Sequence, residues 1–243
     1  MMDPDDMYDE LNRVIMLDNA SGMFAFLRGA AVVYDINHVG ICGSTAVFQA
    51  AIHGKIRMLI MLLDYGADVE KNDNNGLSPL LAAIMNGHDD CAVLLLRWKA
   101  NANKAWVHGV TCLHLALKYA PINGRHLVIT LLHRGADVNK GDVKNFTALM
   151  RTASSGDIVT AKILIGAGAD PDIRELSFGK TAAQIATYSE HHVLAKYLTH
   201  EGNWRRRKNL MMVFKSIAQV DSDAKMMRVL QSKDMICAIS SFL

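Results

Sequence analysis

One spacing constrains this chain more than anything else in it. A hydroxyl residue that opens an apolar run recurs at Thr45, Ser78, Thr111, Thr147 and Thr181, in steps of 33, 33, 36 and 34 residues. Five positions after each stands Ala50, Ala83, Ala116, Thr152 or Ala186. Further on come Leu62-Leu63, Leu95-Leu96, Leu131-Leu132, Leu164-Ile165 and Leu198-Thr199. Gly66-Ala67-Asp68, Lys99-Ala100-Asn101, Gly135-Ala136-Asp137, Gly168-Ala169-Asp170 and Gly202-Asn203-Trp204 close the periods. A period of this size means stacked supersecondary units, each unable to bury its apolar face alone. The three extra residues of the third step fall near Pro121-Ile122-Asn123, between helices, where a longer loop costs little closure entropy.

Each recurring position has a physical reason. A Thr or Ser before a helix accepts a bond from a free backbone N–H of the first turn. Pro79, directly after Ser78, occupies the first helical position, where its missing donor costs nothing. The small residue lets two helices approach closely, and the Leu pair on the second helix fills the gap to the next unit. Gly66, Gly135 and Gly168 suit the left-handed backbone that ends a helix. Asp73-Asn74-Asn75-Gly76 is turn chemistry. One unit is therefore helix, turn, helix, turn.

With these residues in place the chain resembles the ankyrin-repeat family. That family opens its unit with Gly-x-Thr-Pro-Leu-His and closes it with Gly-Ala-Asp-Val-Asn. Gly76-Leu77-Ser78-Pro79-Leu80, Thr111-Cys112-Leu113-His114, Gly87-His88 and Gly135-Ala136-Asp137-Val138-Asn139 carry the likeness, over about residues 8–202. Phe48, Leu81, Met150 and Gln184 replace the family's histidine, so those units are expected to be individually weaker. The expected fold is an all-α solenoid of stacked helix–turn–helix units with β-turn tips. Residues 1–38 are expected to form a degenerate capping repeat, 39–202 about five repeats, and 203–243 a helical C-terminal extension. In the first unit Leu11, Val14 and Ile15 are expected on one helix face, and Phe24 and Leu27 on the next.

Catalytic constellations are missing from the sequence: it has no phosphate loop, dinucleotide fingerprint, nucleophile elbow or zinc-protease helix. Ten histidines do not pair at ligand spacing; His88, His114 and His192 stand at or near places where the family's histidines bond neighbouring turns. Neither enzyme activity, a metal nor a cofactor is expected. Cys42, Cys91, Cys112 and Cys237 are too scattered for a disulfide framework and are expected as free thiols in a reducing compartment. Lys and Arg number 26 against 24 Asp and Glu, a balance that does not favour nucleic acid. The acidic start, Asp3-Pro4-Asp5-Asp6, is unlike a secretory signal, and the apolar run Met58–Leu63 is far too short for a bilayer. A cytoplasmic monomer is expected, with access to the nucleus open.

What remains is a surface. The family's turn tips and inner helix faces form a concave groove for partner proteins. By position, the resemblance puts Ile41, Cys42 and Ser44 on the first tip and Asn74, Asn75 and Leu77 on the second. Trp106, Val107, His108 and Val110 fall on the third, Val143, Lys144 and Phe146 on the fourth, and Ser177, Phe178 and Lys180 on the fifth. Met85, Tyr119 and Tyr188 fall on inner helix positions, with His53, Asn86, Lys118, Ser154 and Ser155. Trp106 stands where the family carries Asp. It reads either as a partner anchor beside Phe146 and Tyr119 or as packing over its own hairpin.

The tail leaves two further choices open. Arg205–Lys208 is either a nuclear-import or phosphate-contacting patch, or the solvated edge of a capping helix. Residues 224–243 either cap the solenoid or dock a ubiquitin-ligase adaptor, being faintly similar to the opening helix of an F-box and to an elongin-binding box. The function expected is a non-enzymatic scaffold for an as yet unidentified partner protein. The alternative is a substrate-recognition subunit of a cullin-type ubiquitin ligase.

Overall fold

A computed structural model describes residues 3–30, 34–40, 43–119 and 125–201. The expectations for Ile41, Cys42, Pro121–Asn123, the basic run Arg205–Lys208 and the tail 203–243 lie outside the described residues. The chain divides into a unit of residues 1–195 and a second unit of residues 196–243. Of the second, residues 196–201 are described, and they are helical.

In the first unit, helices come in pairs. These are α1 (Pro4–Met16) with α2 (Ala20–Ala30), α3 (Ala46–Ile52) with α4 (Ile56–Asp64), and α5 (Pro79–Met85) with α6 (Asp89–Arg97). Then follow α7 (Cys112–Tyr119) with α8 (Arg125–His133), α9 (Ala148–Ser155) with α10 (Ile158–Gly166), and α11 (Ala182–Tyr188). First helices pack on first helices in the order α1, α3, α5, α7, α9, α11, and α2, α4, α6 and α8 do the same behind them. The described residues contain no β-strand, only isolated bridges pairing Ala105 with Thr111 and Arg174 with Thr181. The fold is an all-α repeat solenoid.

The sequence registers map directly onto the core. Ala50, Ala83, Ala116, Thr152 and Ala186 are all buried where successive first helices meet. The side-chain hydroxyls of Thr45, Ser78, Thr147 and Thr181 accept the N–H three residues on, from Phe48, Leu81, Met150 and Gln184. Thr111 differs, because His114 Nδ1 accepts its backbone N–H at 3.2 Å and lies 2.7 Å from its hydroxyl. With Nδ1 accepting, Nε2 carries the proton and donates to the Phe146 carbonyl at 2.7 Å, joining this unit to the next tip.

Met150 and Gln184, in the histidine's place, keep only the local half of that arrangement. Met150 Sδ accepts from Thr147 N–H at 3.4 Å, and Gln184 Oε1 from Thr181 N–H at 3.0 Å. A thioether cannot donate onward to the next unit.

A second ladder ties the closing turns together. Asn37 Oδ1 accepts the N–H of Asp68, Glu70 Oε1 that of Asn101, Asn103 Oδ1 that of Asp137, and Asn139 Oδ1 that of Asp170. Glu70 stands where the other rungs carry Asn. The signal in the sequence was the residue two places after each closing Asp or Asn.

Three expectations change. In α2, Met23 and Leu27 are buried and Phe24 is half-exposed, because positions four apart share the face that packs on α4. Ser44 is buried rather than on a tip: the Tyr8 hydroxyl donates to its carbonyl at 2.7 Å and meets its Oγ at 2.9 Å. The inter-unit histidine of the fifth unit is His191, not His192. Its Nε2 lies 3.2 Å from the Ser154 carbonyl, and its ring fills the space a Cβ on Gly156 would need, while His192 is exposed.

Candidate functional site

Three of the tips are folded around a carboxylate. Asp73 Oδ1 accepts the N–H groups of Asn75 and Leu77 at 3.0 and 2.8 Å. Asp142 Oδ1 accepts those of Lys144 and Phe146 at 2.8 and 2.9 Å. Glu175, buried, accepts those of Ser177, Phe178 and Lys180. Burial pushes the Glu175 carboxyl up, but the N–H groups of Lys180, Phe178 and Ser177 together hold it below its ordinary value. Glu175 sits one place earlier in its tip than Asp73 and Asp142 do, which is the extra residue in the last repeat step.

At the third tip Trp106 takes the acid's position. The backbone closes with Trp106 N–H on the Val110 carbonyl at 2.9 Å and a 3-10 turn over Val107–Gly109. His108 and Gly109 both adopt positive φ, 61° and 73°. The indole is half-buried, and its Nε1 is buried without a hydrogen-bond partner. The local-packing reading of Trp106 is the one this placement favours.

Adjacent tips are tied edge to edge. Val143 N–H donates to the His108 carbonyl at 2.9 Å, and Leu176 N–H to the Lys144 carbonyl at 2.8 Å. Asn145 Nδ2 donates to the Arg174 carbonyl at 2.8 Å. The side chains at these positions are therefore held on backbone that has little freedom left to lose.

The candidate residues divide by exposure. Phe178 and Tyr188 are 80% and 79% exposed, Val107 48% and Tyr119 40%. Asn74, Asn75, His108 and Lys144 are exposed, though Asn74 packs directly against Gly43 of the preceding tip. Leu77, Met85, Val110, Phe146 and Lys180 are half-buried. The structure adds Leu176 and Val143, 73% and 60% exposed on tips five and four, and Arg151, which lies over the Phe146 ring. Leu176 was hidden by the extra tip residue, and Arg151 lies one helical turn past its Thr cap, among otherwise buried positions.

The other titratable groups have structural settings. Burial keeps His114 below its ordinary value of 6.5, which matches its role as a neutral, doubly bonded imidazole. Burial pushes the free thiols of Cys91 and Cys112 up to about 11 and about 12, so neither carries a ready thiolate. Among the described residues no group of three His, Cys, Asp or Glu is placed to hold a metal ion. Nor is any of their helices long and apolar enough to cross a membrane.

A family model described as ankyrin repeats in three copies matches residues 14–105, 48–142 and 113–212. The chain belongs to the ankyrin-repeat family. The ankyrin-repeat and KH domain-containing protein mask-1 of Caenorhabditis elegans is 30% identical over 159 residues, 65% of this chain. A putative ankyrin repeat-containing protein of Treponema pallidum is 32% identical over 123 residues, half of this chain. The matched stretches are 6% and 40% of those proteins' lengths. A solved structure described as the Bd0816 predatory endopeptidase from Bdellovibrio bacteriovorus in complex with immunity protein Bd3460 contains a chain of the same fold. That likeness has a TM-score of 0.68 at 23% identity, over 79% of this chain and 97% of that one. These ankyrin repeats form a protein–protein interaction domain.

Proposed function

We propose that the protein is a non-enzymatic scaffold that holds a partner protein on the tips and first-helix row of its third, fourth and fifth repeats. The observation that carries this is the run of exposed apolar side chains on hydrogen-bonded hairpins: Val107, Val143, Leu176 and Phe178, with Tyr119 and Tyr188 on the helices beside them. Exposed apolar groups in one contiguous series mark interaction sites more than isolated ones do. Preorganised backbone lowers the ordering cost of association. Phe178 and Tyr188 are the anchors in this reading, ahead of Trp106.

Affinity capture with the intact protein and with Phe178→Ser/Tyr188→Ser tests it. A partner held by the wild type and lost from the double variant, with unchanged thermal melting, is the expected result. Capture of the same set of proteins by both would overturn the reading.

A further inference from the structure

The binding face has a charge pattern that the chain as a whole does not. Measured from each Thr or Ser cap over the same window, residues 38–53 contain no Lys, Arg, Asp or Glu, and residues 71–86 only Lys71 and Asp73. The next three windows, 104–119, 140–155 and 174–189, contain seven Lys and Arg against Asp142 and Glu175. Both of those carboxylates are taken up by the backbone N–H groups of their own tips. Among the described residues the ion pairs are Arg13–Glu10, His38–Asp5, Lys104–Glu70 and Arg125–Asp157, and none of them involves Lys118, Lys144, Arg151 or Lys180.

Three of these cations stand over aromatic rings. Lys118 Nζ is 4.8 Å from the Tyr119 ring centre, and Arg151 Cζ is 5.9 Å from that of Phe146. Lys180 Nζ is 4.0 Å from the Tyr188 ring centre and 5.4 Å from that of Phe178. A ring beneath the cation fixes its position while leaving its outward side without a carboxylate.

Resting on the scaffold reading above, we infer that this half of the face takes an extended acidic segment of the partner, whose carboxylates sit on Lys118, Arg151 and Lys180 and whose apolar side chains lie against Leu176 and Phe178. Side-by-side helices stand about 8–10 Å apart. An extended chain in polyproline II geometry rises about 3.1 Å per residue with three residues per turn, so that side chains three apart share one side. Carboxylates about three residues apart therefore match one cation per repeat. Single-stranded nucleic acid also suits rings and cations, but it follows a continuous basic groove, and this chain carries a formal charge of only +2.

Fluorescence anisotropy with the full chain provides the test, using labelled peptides of about twelve residues, long enough to cross three repeats. One peptide repeats Glu-Leu-Ser, one has the same composition with its Glu residues clustered, and one has Lys in place of Glu; an oligothymidylate is the fourth probe. The spaced Glu peptide should bind best. Its affinity should fall with added salt, and at least about tenfold in Lys118→Glu/Lys180→Glu. Lys118→Gln/Lys180→Gln should show a smaller loss and Arg57→Glu, away from the face, none. Tighter binding of the Lys peptide or the oligothymidylate overturns the inference, as does indifference to the charge reversals. Equal binding of the clustered peptide overturns the spacing. If none of the probes binds while Phe178→Ser/Tyr188→Ser still abolishes partner capture, this inference fails and the scaffold reading stands.

Discussion

The third tip and its neighbours share one backbone closure but differ in the side chain that supports it. Asp73, Asp142 and Glu175 brace their loops by accepting backbone N–H groups. Large apolar side chains face solvent on tips of both kinds, Val107 on the third and Val143, Leu176 and Phe178 on the fourth and fifth. Trp106 cannot accept a hydrogen bond, so its tip lacks that brace. It keeps the backbone closure of the others, Trp106 N–H to the Val110 carbonyl as Asp73 N–H to that of Leu77 and Asp142 N–H to that of Phe146. It adds a left-handed His108 and half-covers the indole. A side-chain acceptor thus braces its loop directly, whereas an aromatic ring in that place is half-covered by the turn itself.

The bond that joins the two kinds of tip offers the largest test. His114 belongs to the third repeat and holds the carbonyl of Phe146 in the fourth. His114→Ala leaves a cavity and orphans buried groups, and should cost about 3 kcal/mol in chemical denaturation. The same residue sets a pH dependence. Its folded value is depressed by burial, so the unfolded chain binds more protons below the ordinary 6.5. Its contribution is fully present above that value and is lost as pH falls through it toward the folded value. Wild type should lose stability from pH 7 to 5.5 more steeply than His114→Ala does; parallel slopes would contradict the neutral bridge.

Next in size is the brace itself. Asp142→Ala uncovers the N–H groups of Lys144 and Phe146 and should cost about 2 kcal/mol. Hydrogen exchange should quicken at those two amides first. If exchange instead rises uniformly along the chain, the carboxylate is not a local support.

A smaller effect would sharpen the contrast. Trp106→Asp places an acceptor where the second and fourth tips have one, while Trp106→Ala supplies neither acceptor nor ring. The Asp variant should be the more stable of the two by about 1 kcal/mol. Equal melting temperatures would show that a tip with left-handed His108 cannot use a carboxylate.

The smallest stability effect is expected where the face is most open. Phe178→Ser removes an exposed ring, and stability should stay within about 0.5 kcal/mol of wild type, as for other surface positions. A loss of several kcal/mol would mean that Phe178 supports its tip, and would place it with Trp106 rather than among the partner-facing residues.

What the amino-acid sequence determined by itself is the repeat register: where the first helices start, which small residues lie between them, and which Leu pairs face inward. These are properties of a local period, set by caps, turns and the 3.6-residue helical repeat. The tertiary structure decided which of two adjacent histidines reaches back to Ser154, that Ser44 lies under Tyr8, and that Asn37, Glu70, Asn103 and Asn139 clamp the following turns. It also decided that Trp106 is half-covered while Phe178 and Tyr188 stand out, and that Lys180 reaches back over both rings. Most of these depend on groups about one repeat apart in sequence that meet only after stacking, and the rest on how a tip folds back upon itself, so a pattern within one unit carries little trace of them.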